Sequence, residues 1–145
     1  MSFPSPQPGL VIRYAYLWAA EFDRGLEEGS KDRPCAILLA VKNEDGGQIV
    51  TVLPITHGQP QNPDHAIEIP MATKRRLGLD EERSWIVLTE SNRFIWPGPD
   101  LRPARSGDDQ SIVYGLLPAT LYEQIKQKWI QLYQKRLGQI TNRTE

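Results

Sequence analysis

Three residue types that together handle phosphate chemistry flank one polar turn: an arginine at 33, a threonine at 56 and a histidine at 57. A guanidinium is a planar fork of donors that stays charged at any working pH and matches phosphate oxygens two at a time. A hydroxyl adds one donor to a non-bridging oxygen. An imidazole, with an ordinary pKa of about 6.5, suits removal of a proton from a sugar hydroxyl. From the residues alone each also has a plainer role. Arg33, preceding Pro34, could be a strand-edge residue paired with Glu28 or Asp32, Thr56 could simply end a strand, and His57 could be a solvent-facing loop residue.

The stretch that must bring Arg33 and Thr56 together reads RPCAILLAVKNEDGGQIVTVLPIT. Cys35–Val41 and Ile49–Ile55 are apolar, strand-like runs, separated by Lys42–Gln48. Within that separator Asp45-Gly46-Gly47 supplies the chemistry of a tight reversal, so the stretch predicts a β-hairpin. A turn centred at Asp45-Gly46 places Thr56 opposite Cys35, one rung from Arg33 and on the same face. A slip of one residue would move Thr56 to the other face. His57 reaches the same site only if the strand ends at Thr56, because neighbouring strand residues point to opposite sides.

The remaining elements follow from pattern and punctuation. Leu10–Trp18 reads as a first strand and Ala19–Asp32 as a loop marked by Gly25 and Gly29. After the turn-rich His57–Asp64, Ala66–Pro70 is a short alternating strand and Thr73–Gly78 a short helix stopped by glycine. Ser84–Glu90 is a strand, continued after a bulge by Asn92–Trp96, and Pro97 breaks it into a loop reaching Asp109. Ser111–Leu117 is the last strand. Pro118–Leu137 is an amphipathic helix with Leu121, Ile125, Trp129 and Leu132 on one stripe, begun by Pro118 or a Thr120–Glu123 capping box and ended by Gly138. Several short strands and one closing helix predict a mainly β chain with α, a small, partly open barrel. The barrel occupies one domain, residues 9–138, between an extended proline-rich tail at 1–8 and a frayed end at 139–145.

Composition narrows the classes. The formal charge of -1 excludes a protein that holds nucleic acid by its overall field, so any such contact needs a local basic patch. The single cysteine, Cys35, excludes an internal disulfide framework and suits a reducing compartment as a buried small hydrophobe. No charged leader with an apolar core and no run of membrane-spanning length is apparent, so the expected location is the cytoplasm.

Gly9-Leu10-Val11-Ile12, the glycine-punctuated loop, Arg33-Pro34 with its apolar strand, and Val52-Leu53-Pro54-Ile55-Thr56 together resemble the PemK/MazF-type growth-inhibitor toxins. Leu88–Arg93 is similar to the family segment in which an acidic residue and Gln precede an Arg; here the pair is Glu90-Ser91, and Phe94–Pro97 departs from the family pattern. The resemblance implies an SH3-like barrel that homodimerises. It implies the toxin of a type II toxin–antitoxin pair: an endoribonuclease on single-stranded mRNA, working without metal or cofactor and inhibited by a small antitoxin. By motif position Arg33 and Thr56 match the catalytic arginine and threonine, and Glu90 and Arg93 match positions that contribute to cleavage or RNA binding. Glu90 or His57 would assist proton transfer. Lys31, Lys74 and Arg75 are further candidates for RNA contact, although a run such as Lys74-Arg75-Arg76 is more often a solvated helix face than an RNA patch. The alternative is a barrel that binds RNA, an antitoxin or a protein target without cutting.

Overall fold

The computed structural model describes residues 3–25, 31–104 and 111–143. The apolar runs become β1 (Leu10–Tyr14), β2 (Arg33–Lys42) and β3 (Gln48–Thr56), paired antiparallel in that order. Val11, Ala36, Leu38, Leu53 and Ile55 face one core cluster, and Ile12, Cys35, Ile37, Val50 and Val52 face another. Burial on both faces is why these runs show little apolar–polar alternation. The first core is covered by α2 (Met71–Leu77) and α3 (Ala119–Gln134), through Leu77 and through Leu121, Ile125 and Leu132. The second closes on aromatic residues, with Tyr14 stacked on Phe94 at 4.8 Å between ring centres.

β4 (Ala66–Glu68) pairs with β5 (Trp85–Val87), which in turn pairs with β3 at Ile55 and Thr56. β6 (Glu90–Ile95) pairs with β3 further back, at residues 49–52, and β7 (Val113–Leu116) pairs with β1. The strand expected to run on from Ser84 to Trp96 is therefore two strands serving different lengths of the same neighbour. The eight-stranded sheet does not close on itself. It is mainly β with a C-terminal helix, as expected. Among the described residues no helix is long and apolar enough to cross a membrane.

Several expectations change. The first strand stops at Tyr14, and α1 (Ala19–Asp23) stands where a loop was expected; its first-turn Glu21 accepts a hydrogen bond from Trp18 N–H at 3.1 Å. Residues 26–30 of that segment lie outside the described residues. The proline-rich tail is partly tied down: Pro6 is buried and the Pro4 carbonyl accepts from Trp96 Nε1 at 3.1 Å. α3 begins directly after Pro118 with no side-chain cap, so the capping box does not form. It ends before Gly138, because Arg136 takes the left-handed conformation (φ 60°) and lets Leu137 N–H bond Leu132 C=O.

The end of the chain is the largest correction. Gln139–Asn142 does not fray but forms β8, parallel to β6. The reason is Arg143, whose side chain is 3% exposed. Its Nη1 donates to Tyr14 Oη, Ala15 C=O and Asn92 Oδ1, and its Nη2 lies 3.1 Å from Asp100 Oδ2, itself buried. Removing one partner of a buried pair strands the other charge. Arg143→Met is expected to lower unfolding stability by about 3–5 kcal/mol, read as a shift in denaturant midpoint. A midpoint unchanged by the substitution would show that β8 is not held this way.

Candidate functional site

The centre of the turn and one bulge together bring the site residues level. Next to the turn, Lys42 pairs with Gln48, which centres the reversal on Asp45. Between Ile37 and Leu39 the register then shifts by one, because β2 carries an extra residue, Leu38. Beyond this bulge Cys35 faces Pro54, and the same register carried outward sets Arg33, not Cys35, level with Thr56. Their faces still agree, since a bulge moves the partner and not the alternation of the outer strand. β3 ends at Thr56, so His57 is free of the strand's alternation, which is the condition for it to join the site.

Arg33, Thr56 and His57 line one cavity of about 500 Å³, together with Lys31, Arg13 and Tyr114. The volume lies in the range of small-molecule sites, roughly 300–1,000 Å³. Arg33 stacks its guanidinium over the Trp18 ring at 4.9 Å, and its Nε is buried without a hydrogen-bond partner. A buried donor left unmade is costly and calls for an explanation. Asp32, a sequence candidate for pairing with Arg33, lies instead 3.7 Å from Arg102, and Glu28 falls outside the described residues. Thr56 Oγ1 accepts from Gly58 N–H at 3.2 Å, which leaves the hydroxyl proton available to donate. Arg13 Nη1 donates to Tyr114 Oη at 3.3 Å and adds a second guanidinium to the cavity wall.

His57 Nε2 lies 2.6 Å from Asp80 Oδ2, and Lys74, also on the cavity lining, reaches Asp80 Oδ1 at 2.5 Å. The meeting of Lys74 with Asp80 follows from the helix stop. Gly78 takes φ 73° and Leu79 N–H bonds Lys74 C=O, folding residue 80 back onto the turn that carries Lys74. Lys74 is thus a buried structural cation whose donors are taken. His57, Asp80 and Glu82 lie close enough to share a cation, and the one Asp80 already has is Lys74.

The other sequence candidates lie elsewhere. Glu90 does not line the cavity; its Oε1 accepts from Tyr16 Oη at 3.3 Å and Ala19 N–H at 3.0 Å. Contacts still link it to Arg33, since Tyr16 meets Trp18 edge-on at 5.1 Å beneath the guanidinium. Arg93 is half-buried in β6 opposite Thr51 and Asn142, away from the cavity lining. Arg75 is exposed on α2 and does not line it either. Arg13, Tyr114 and Asp80 escaped the sequence reading. Only Asp80 left a signal there, two residues past a helix-stopping glycine. Cys35 is fully buried, as expected, and burial pushes its thiol well up. Compared with protein-family models, curated proteins and solved structures, the chain has no match.

Two carboxyls give the molecule opposite pH responses. Partial burial raises the carboxyl of Asp80, but hydrogen bonds from Lys74, His57 and the Glu82 backbone outweigh it and hold the group below its ordinary value. Burial, the largest effect at Glu90, holds that carboxyl above its ordinary value, helped by the charge of Glu21. A depressed folded pKa gives stability that is complete above the unfolded value, about 3.9, and is lost as pH falls through the folded one. A raised one makes the folded state bind more protons, so stability falls as pH rises above about 4.3. In urea titrations across pH, Asp80→Asn is expected to flatten the acid loss and Glu90→Gln the decline on its neutral side. Profiles parallel to wild type would contradict both assignments.

Proposed function

We propose that the cavity holds the sugar–phosphate backbone of single-stranded RNA and that the protein cuts it as a metal-independent endoribonuclease. In this reading the open sheet is an SH3-like barrel of the PemK/MazF type that the motifs resemble. The protein is then the toxin of a type II toxin–antitoxin pair, a cytoplasmic homodimer restrained by an antitoxin partner. One observation carries the reading: Arg33, with a buried donor unmade, shares a cavity with a hydroxyl free to donate and an imidazole.

The roles follow from the chemistry of each group. His57 takes the proton of a ribose 2′-hydroxyl, whose oxygen attacks phosphorus. The bond from O2′ to phosphorus forms, the bond from phosphorus to O5′ breaks, and O5′ takes a proton from water. Arg33 offsets the charge that builds on the phosphorane oxygens, and Thr56 donates to one of them. Lys31 and Arg13 hold the neighbouring backbone phosphates. Glu90, kept in its own hydrogen bonds, has no part in the proton transfer.

Primer extension on a long natural RNA incubated with the protein in EDTA tests this. Wild type is expected to leave discrete stops, and Thr56→Val to lower the cleavage rate on the order of 10²–10³-fold, the cost of one anion-stabilising donor. Arg33→Ala is expected to lose at least as much while keeping its unfolding midpoint. RNA left intact by folded wild type across varied sequences would refute the nuclease. Retained binding without cutting would leave the non-catalytic barrel.

A further inference from the structure

Behind His57 lies a charge arrangement that no RNA contact requires. Lys74 is 1% exposed, and its Nζ donates to Asp80 Oδ1 at 2.5 Å, to Ser84 Oγ at 2.6 Å and to the Glu82 carbonyl. An ammonium has three donors, so none is left for a ligand. Burying such a group is tolerated only when it is fully bonded. Asp80 Oδ1 also accepts from Glu82 N–H at 3.1 Å, so that oxygen is fixed from two sides. Rotation of the carboxylate is thereby prevented, and Oδ2 is presented to His57 Nε2 at 2.6 Å.

An ionised carboxylate only accepts, so the hydrogen between them belongs to Nε2. The neutral ring then carries its lone pair on Nδ1. Glu82 Oε2, at 3.6 Å from Nε2, favours the same tautomer. The like charges on the cavity wall, Arg13, Lys31 and Arg33, have no acceptor to offer the ring. From this geometry we infer that Asp80, locked by the buried ammonium of Lys74, is a positioning residue for His57. It fixes the ring as the Nε2–H tautomer and keeps Nδ1 open as the proton acceptor. The chemical use of that acceptor rests on the RNA reading above; the tautomer does not.

The test has one arm without RNA and one with it. In the full chain, ¹⁵N spectra of the histidine rings above their titration range are expected to show His57 as the Nε2–H form. Asp80→Asn keeps an oxygen for Lys74 and turns its amide N–H toward His57, so the tautomer is expected to reverse to Nδ1–H. Cleavage by that variant is expected to fall on the order of 10²–10⁴-fold, the usual contribution of a positioned general base. The double variant with His57→Ala is expected to lose no more than either single one, because the two residues act as a unit. A mixed or Nδ1–H ring in wild type overturns the inference, and does so even where Asp80→Asn fails to fold. Reversal of the tautomer with cleavage unchanged also overturns it. If wild type leaves RNA intact while its ring is the Nε2–H form reversed by Asp80→Asn, the nuclease reading fails and Asp80 still stands as the group that orients His57.

Discussion

The pairing of β2 with β3 constrains everything else in the molecule. Both strands are buried on two faces, so apolar pattern alone is a poor guide to register: a slip by one residue would exchange one set of apolar side chains for another. Other contacts must fix it. At the turn, Asn43 accepts from Asp45 N–H through its side chain and from Gly46 N–H through its carbonyl, while its own N–H bonds Gly47 C=O. At the bulge, the ladder is interrupted and buried carbonyls need new partners. Tyr122 of α3 donates to Leu38 C=O at 2.7 Å, and Gly9 N–H donates to Ile37 C=O at 2.8 Å. The bulge is therefore met by a hydroxyl from the closing helix and by the residue just before β1. The alignment of Arg33 with Thr56 depends on parts of the chain that never touch the cavity.

Two buried cations pin the rest, and they differ in what they hold. Arg143 pairs with a buried acid, Asp100, and bonds the chain just after β1, so these partners are internal. These contacts tie the last strand to the first. Lys74 pairs with Asp80, whose side chain is 48% exposed. That pair has one inner oxygen and one outer oxygen, and the outer one is where His57 sits. Buried ion pairs often add little net stability compared with apolar residues of similar size. An internal cation that orients a surface carboxylate makes sense as a means of fixing geometry, which an apolar residue at 74 could not supply.

Much of this was legible in the sequence, and the misses have physical causes. The hairpin, the glycine-stopped helix and the closing helix all rest on local signals, and all three are present. From sequence Thr56 and Arg33 fall on one face but one rung off, because a bulge is set by what catches its carbonyls and those partners, Gly9 and Tyr122, are distant in sequence. From sequence β8 reads as a frayed end because four residues with one isoleucine carry no strand pattern; a buried arginine following them holds the strand instead. Lys74 read as a solvated helix residue beside Arg75 and Arg76, since nothing local distinguishes a lysine that turns inward. Its acceptors lie six to ten residues onward, beyond a helix stop whose effect is to bring them back.

A chain of net charge -1 can attract a polyanion only if its cations are concentrated and its acids are occupied. Both conditions hold among the residues that line the cavity. Asp80 is matched by Lys74, and Asp32 lies beside Arg102, which leaves the cations of Arg13, Lys31 and Arg33 facing the same space. At physiological salt charges are screened over about 8 Å, so the charges that line the cavity weigh most and distant surface acids little. Three cations also set a limit. Affinity for a nucleic-acid strand grows with the number of phosphates neutralised, and a handful of contacts gives a weak grip. In the proposed reading the cavity is therefore better suited to selecting one phosphate in one geometry than to retaining a long strand. For that task the rigidity of Arg33 on Trp18 and of His57 on Asp80 matters more than total charge.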